Sequence, residues 1–200
     1  MTIQRNSGRV PRPLFALLLL AAALAVVLAM LVQALVMEVD AVPSTSMSPT
    51  LRVGDRVLVD KASLAWRPIA RGDVIVFDAT DVWKPATNGT KVAKRVIALG
   101  GDHVACCNAA GRILLNGRVL LEPYAHGRNR RFNVTVPVDR MWVMGDDREH
   151  SLDSSAYTEV PAGGSVPVNH VLGRVIAVVW PPNHAGILGT PSREEAHDAT

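Results

Sequence analysis

Several common signatures are missing from this 200-residue sequence, and each absence removes a class of function. Only two cysteines occur, and they are neighbours, Cys106 and Cys107. A zinc site needs a second pair at ligand spacing, so the sequence gives no structural metal centre. Lysine is scarce, four residues against seventeen arginines, and the net charge of +3 is spread along the chain. Nothing resembles the clustered basic patch of a nucleic-acid binder. Aromatic residues make up 4% of the chain. Past residue 51 no ten-residue amphipathic helix stands out, and no internal repeat is visible.

One long hydrophobic run is present. From Leu14 to Met37 there is no charge and a single amide, Gln33. As a helix this run spans about 36 Å, enough for a hydrocarbon core with some tilt. It exceeds the 7 to 15 residues of a usual signal-peptide core, so an uncleaved anchor over 13–37 is expected. Arg5, Arg9 and Arg12 precede it, and Glu38 and Asp40 follow in what reads as a short acidic linker. That asymmetry puts residues 1–12 in the cytoplasm and everything after the anchor outside. Residues 38–182 then form one folded domain, and 183–200 are read as a flexible tail.

After Leu51 the pattern is that of short strands. Arg56–Asp60, Asp73–Phe77, Val92–Leu99, His103–Cys107, Arg112–Asn116, Arg118–Leu121, Asn133–Pro137, Met141–Met144 and Arg174–Trp180 alternate or run apolar between Gly and Asn turns. Asn116-Gly117 is a strong hairpin signal. The fold class is mostly β, with long connections at 78–91, 122–132 and 145–172. The adjacent cysteines allow a bond to each other, an intermolecular bridge or two free thiols.

Three stretches carry residues suited to chemistry. Val42-Pro43-Ser44-Thr45-Ser46-Met47-Ser48-Pro49-Thr50-Leu51 packs five hydroxyl residues and two prolines just after the apolar run. A serine needs a base to attack a carbonyl. Lys61, Lys84 and Lys91 lie in polar surroundings. Lys94 instead sits in a strand, sharing a face with Val92, Val96 and Ala98 while Arg95 points the other way. A lysine on an apolar face loses hydration of its charged form, and its pKa falls. The third stretch, Met144 to Ser155, is dense in small, charged and hydrogen-bonding residues. It lacks the ligand spacing of a calcium loop. Two other readings stay open on these residues. One is a Ser-His-Asp hydrolase using Ser46, His150 or His126, and Asp153; the other is an anchored, non-enzymatic β-domain that binds a partner.

Pro43 to Leu51 resembles the nucleophile box of bacterial type I signal peptidases, the S26 family of serine–lysine peptidases. Arg71 to Phe77 looks like their Gly-Asp strand, Lys94 to Asp102 like their lysine box, and Gly145-Asp146-Asp147-Arg148 with Ser151 and Asp153 like their last box. The resemblance runs from residue 13 to about 180. It implies Ser46 as nucleophile and Lys94 as general base, with the Ser46 N–H and the Ser44 hydroxyl as oxyanion hole. Ser151 would orient Lys94, with Asp153, Arg95 and Asp146 supporting. Val42, Met47, Leu51 and Ala93 would line small pockets. No metal or cofactor is implied. The implied partners are signal peptides of exported preproteins and the bilayer, near the export translocon. Ser155 stands where the family has an arginine that pairs with the aspartate at Asp153.

Overall fold

A computed structural model describes residues 12–83 and 91–189. The chain divides into two units between Val36 and Met37. The first contains α1, Arg12–Val36, about 37 Å long at 1.5 Å per residue. Its side chains are described from Phe15 to Met30, at Val32 and at Val36. Among the described residues no helix is long and apolar enough to cross a membrane.

The second unit is built from strands. They are β1 (Met37–Ala41), β2 (Arg56–Asp60), β3 (Val74–Asp78), β4 (Lys91–Leu99), β5 (His103–Cys106), β6 (Ile113–Leu115), β7 (Arg118–Val119), β8 (Phe132–Thr135), β9 (Arg140–Met144), β10 (Val166–Pro167), β11 (Val171–Trp180) and β12 (Gly186–Ile187). A large sheet has the order β1-β2-β11-β3-β4-β9-β10, with β12 paired to β11; a smaller one has the order β7-β6-β5-β8. Neighbouring strands run antiparallel throughout.

Local sequence explains most of this. Val57 and Val59 of β2 are buried and their neighbours less so, the alternation of a half-covered strand. Central β3 is buried from Val74 to Phe77, matching its unbroken apolar run. Asn116 and Gly117 both have positive φ, as a type I′ turn requires, and they close the β6–β7 hairpin. Cys106 and Cys107 are bonded to each other. Of the lysines expected in polar surroundings, Lys61 and Lys91 are half-exposed and share Glu38 as partner; Lys84 lies outside the described residues.

Four expectations need correction. Helix α1 ends at Val36, and Met37 starts β1 instead of closing the anchor. The segment read as an acidic linker pairs with β2, Met37 against Asp60 through Ala41 against Arg56. Val96 and Ala98 do not share a face with each other. A bulge between them shifts the register against β9, putting Val96 in the cluster of Ile75, Phe77 and Val143, and Ala98 in that of Trp142 and Phe132. Finally, residues 183–189 are held against the domain: β12 pairs with β11, and Leu188 N–H reaches Ile176 C=O at 2.8 Å. The rest of the expected tail, 190–200, lies outside the described residues.

Candidate active site

Ser46 sits in the connection between β1 and β2. Val42 N–H bonds Asp55 C=O at 2.9 Å and Gly54 N–H bonds Val42 C=O at 3.0 Å, which closes the base of this loop. Inside it, Ser48 N–H reaches Thr45 C=O and Leu51 N–H reaches Met47 C=O, each at 2.8 Å. Val42, Met47 and Leu51 enter one apolar cluster with Val57, Val59, Val74 and Val76, and Ala93 packs against it. Apolar residues on both sides of Ser46 therefore pin the turn to the sheet. Met47 and Leu51 are fully enclosed. Ser46 itself is 8% exposed, whereas Ser44 is exposed, its Oγ 3.3 Å from Ser46 Oγ.

Lys94 comes from the middle of β4, opposite Ile75 of β3, and is 2% exposed. Its Nζ donates to Ser46 Oγ at 2.7 Å. Burial pushes the amine down to about 8, against the opposing pull of Asp153 and Asp146. A buried hydroxyl within hydrogen-bond reach of such an amine has the geometry of nucleophile and base. When the amine is neutral the contact reverses, with Ser46 Oγ–H donating to nitrogen.

The 145–155 loop locks this pair from the other side. Asp147 N–H donates to Ser46 C=O at 3.1 Å. Asp146 receives Arg95 twice, Nε at 2.9 Å and Nη2 at 2.7 Å, and accepts the Thr50 hydroxyl at 2.6 Å. Strand β4, the nucleophile turn and the loop thus meet at one carboxylate. Arg95 also donates to Gly72 C=O at 2.9 Å, and its guanidinium carbon lies 4.0 Å from the centre of the Tyr124 ring. Asp153, fully buried, accepts the N–H of Gly145 at 3.0 Å, the N–H of Ser155 at 3.1 Å and the hydroxyl of Ser155 at 2.6 Å. Ser155, where the resemblance implies an arginine, is a partner of this carboxylate. Ser151 Oγ is buried next to Gly145 and has no hydrogen-bond partner among the described residues. A Cβ at Gly145 would overlap both Ser46 C=O and Ser151 Oγ, so only glycine fits there.

Sequence reasoning passed over several residues of this network. Arg148 is 2% exposed; it reaches Glu122 with both terminal nitrogens, at 2.5 and 3.2 Å, Asn129 at 2.7 Å and Gly145 C=O at 2.8 Å. Thr50 lies in the Pro43–Leu51 stretch, where no local signal marks Asp146 as its partner. Neither histidine is brought to Ser46. His150 Nδ1 lies 3.0 Å from Asp147 with its side chain 69% exposed, and His126 Nε2 lies 3.7 Å from the same carboxylate. Among the described residues, Lys94 and Ser44 are the hydrogen-bond partners of Ser46 Oγ.

Comparison with known proteins gives a consistent result. The family described as "Signal peptidase, peptidase S26" matches residues 15–180. Signal peptidase I of Mycobacterium tuberculosis is 35% identical over 215 residues, covering 84% of this chain and 73% of that protein. Signal peptidase I of Leptolyngbya laminosa is 39% identical over 173 residues, covering 84% and 81%. A signal peptidase I crystal structure from Enterococcus faecalis V583 aligns at 26% identity and a TM-score of 0.43, over 55% of this chain and 97% of that one.

Proposed function

The chain belongs to the peptidase S26 family of signal peptidases, serine peptidases that cleave signal peptides, and on that premise we propose that Ser46 is its nucleophile and Lys94 the general base. The observation that carries this reading is the 2.7 Å contact between Lys94 Nζ and Ser46 Oγ, both groups being buried. Neutral Lys94 takes the Ser46 proton as Oγ attacks the scissile carbonyl. The oxyanion receives the Ser46 N–H and the exposed Ser44 hydroxyl. The amine proton then passes to the leaving nitrogen, and a water activated by Lys94 releases the acyl group. Asp153, Asp146 and Arg95 keep the loop and strand in register; Ser151, whose hydroxyl makes no hydrogen bond among the described residues, is given no part in holding the amine.

Val42 and Ala93, backed by the enclosed Met47 and Leu51, limit the space for side chains near the scissile bond, which favours Ala-x-Ala-like sites. The uncharged run from Leu14 to Val36 anchors the protein, with the arginines cytoplasmic and the domain outside. Only residues 37–45 separate that run from Ser46 in the chain, so the substrate is a signal segment in the same bilayer, close to the translocon. Cleavage of a model preprotein by the purified enzyme beside Lys94→Ala tests the proposal. The variant is expected to lose about 10²–10⁴ in rate. Retention of wild-type turnover would refute the role of Lys94.

A further inference from the structure

The family match ends at residue 180, yet the next nine residues do not leave the domain. His184 N–H reaches Pro181 C=O at 3.0 Å, which turns the chain back. Gly186 and Ile187 then pair with Val178 and Ala177 of β11. Two side chains reach from this return towards the loop that carries Ser46. Leu188 packs against the cluster of Val42, Met47 and Leu51. His184 Nδ1 lies 2.8 Å from Asp55 Oδ2, with side-chain exposures of 20% and 3%.

Asp55 is the closing residue of the nucleophile loop. Its carbonyl accepts Val42 N–H at 2.9 Å, and its carboxylate accepts Arg52 N–H at 2.8 Å. An enclosed carboxylate with one donor is poorly compensated for lost water. His184 supplies the second. We propose that residues 181–189 form a strap across the base of this loop, with His184 as a positioning residue that fixes Ser46 through Asp55. The proposal rests on the reading of Ser46 as nucleophile. Nothing in it requires His184 to touch substrate.

A displacement of about 1 Å at a reacting atom costs on the order of 10²-fold in rate. Loosening one of several ties on the loop should cost less, roughly tenfold. The test is preprotein cleavage by the full chain in detergent, comparing wild type, His184→Ala, His184→Asn, Asp55→Asn and the Asp55→Asn/His184→Ala double variant. His184→Ala is expected to lower kcat roughly tenfold with KM unchanged and the pH at half-maximal rate unmoved, because Lys94 stays buried. His184→Asn should restore kcat, since its amide N–H takes the place of Nδ1. In the Asp55→Asn background His184→Ala should add no further loss. A wild-type kcat in His184→Ala would overturn the strap. So would an Asn variant as slow as the Ala variant, or an equal loss with and without Asp55. A Ser46→Ala control separates the two claims: turnover there refutes the nucleophile assignment, whatever the His184 series shows.

Discussion

Strand β4 places two cations side by side, Lys94 and Arg95, on opposite faces and both almost wholly buried, at 2% and 4% exposure. Their surroundings differ. Arg95 meets Asp146 at two points, a backbone carbonyl and an aromatic face. The two-point contact between guanidinium and carboxylate fixes both groups in one geometry. Lys94 has a neutral hydroxyl as its hydrogen-bond partner among the described residues, and burial brings its amine down to about 8. Equal burial therefore gives opposite chemistry. Pairing, more than depth, separates the cation held in an ion pair from the one we propose as the base.

The same apolar substitution at the two positions should act in opposite directions. Arg95→Met leaves Asp146 buried and short of its main partner, and should destabilise the domain by about 3–5 kcal/mol. Lys94→Met should stabilise it at neutral pH. The sign follows from the lowered amine. Between about pH 8 and 10.5 the unfolded chain holds a proton that the folded chain has released, so stability rises with pH across that window. Below pH 8 the folded state carries a penalty of roughly 3 kcal/mol, which methionine removes. Denaturant midpoints at pH 7 and pH 10 check both: the gain from Lys94→Met should shrink as pH rises, and the loss from Arg95→Met should not. A destabilised Lys94→Met at pH 7 would break the contrast. A smaller effect is expected from Thr50→Val, which removes one donor from Asp146 while Arg95 remains. About 1.5 kcal/mol should be lost, read from the same midpoints. No change would mean that the Thr50 tie between turn and loop contributes nothing.

How much of this was legible in the sequence follows from distance along the chain. Strands β2, β3, β4 and the β6–β7 hairpin follow from alternation and from Asn116-Gly117, which are local signals. Strand β1 was hidden because Glu38 and Asp40 read as a linker. It lies at the edge of the large sheet, where acids are tolerated and Glu38 finds Lys61 and Lys91. Strands β10 and β12 are two residues each, too short for any period to show. A bulge in β4 broke the alternation that put Ala98 on the Val96 face. The motifs single out Ser46 and Lys94, which the fold brings within 2.7 Å of each other. The wiring around them was not readable, because it joins residues far apart: Thr50 and Asp146 are 96 positions from each other, Arg148 and Glu122 26. At Asp153 the missing arginine could be seen in the sequence, but the Ser155 hydroxyl that bonds this carboxylate could not.

We propose as the base a buried lysine whose hydrogen-bond partner among the described residues is a hydroxyl and not a carboxylate. The most direct test is the pH dependence of preprotein cleavage by wild type and His150→Ala. The account predicts a rate that rises with pH through an apparent pKa of about 8, as burial sets for Lys94, with the same curve in both proteins. A rise centred near the ordinary histidine value of about 6.5, lost in His150→Ala, would contradict it.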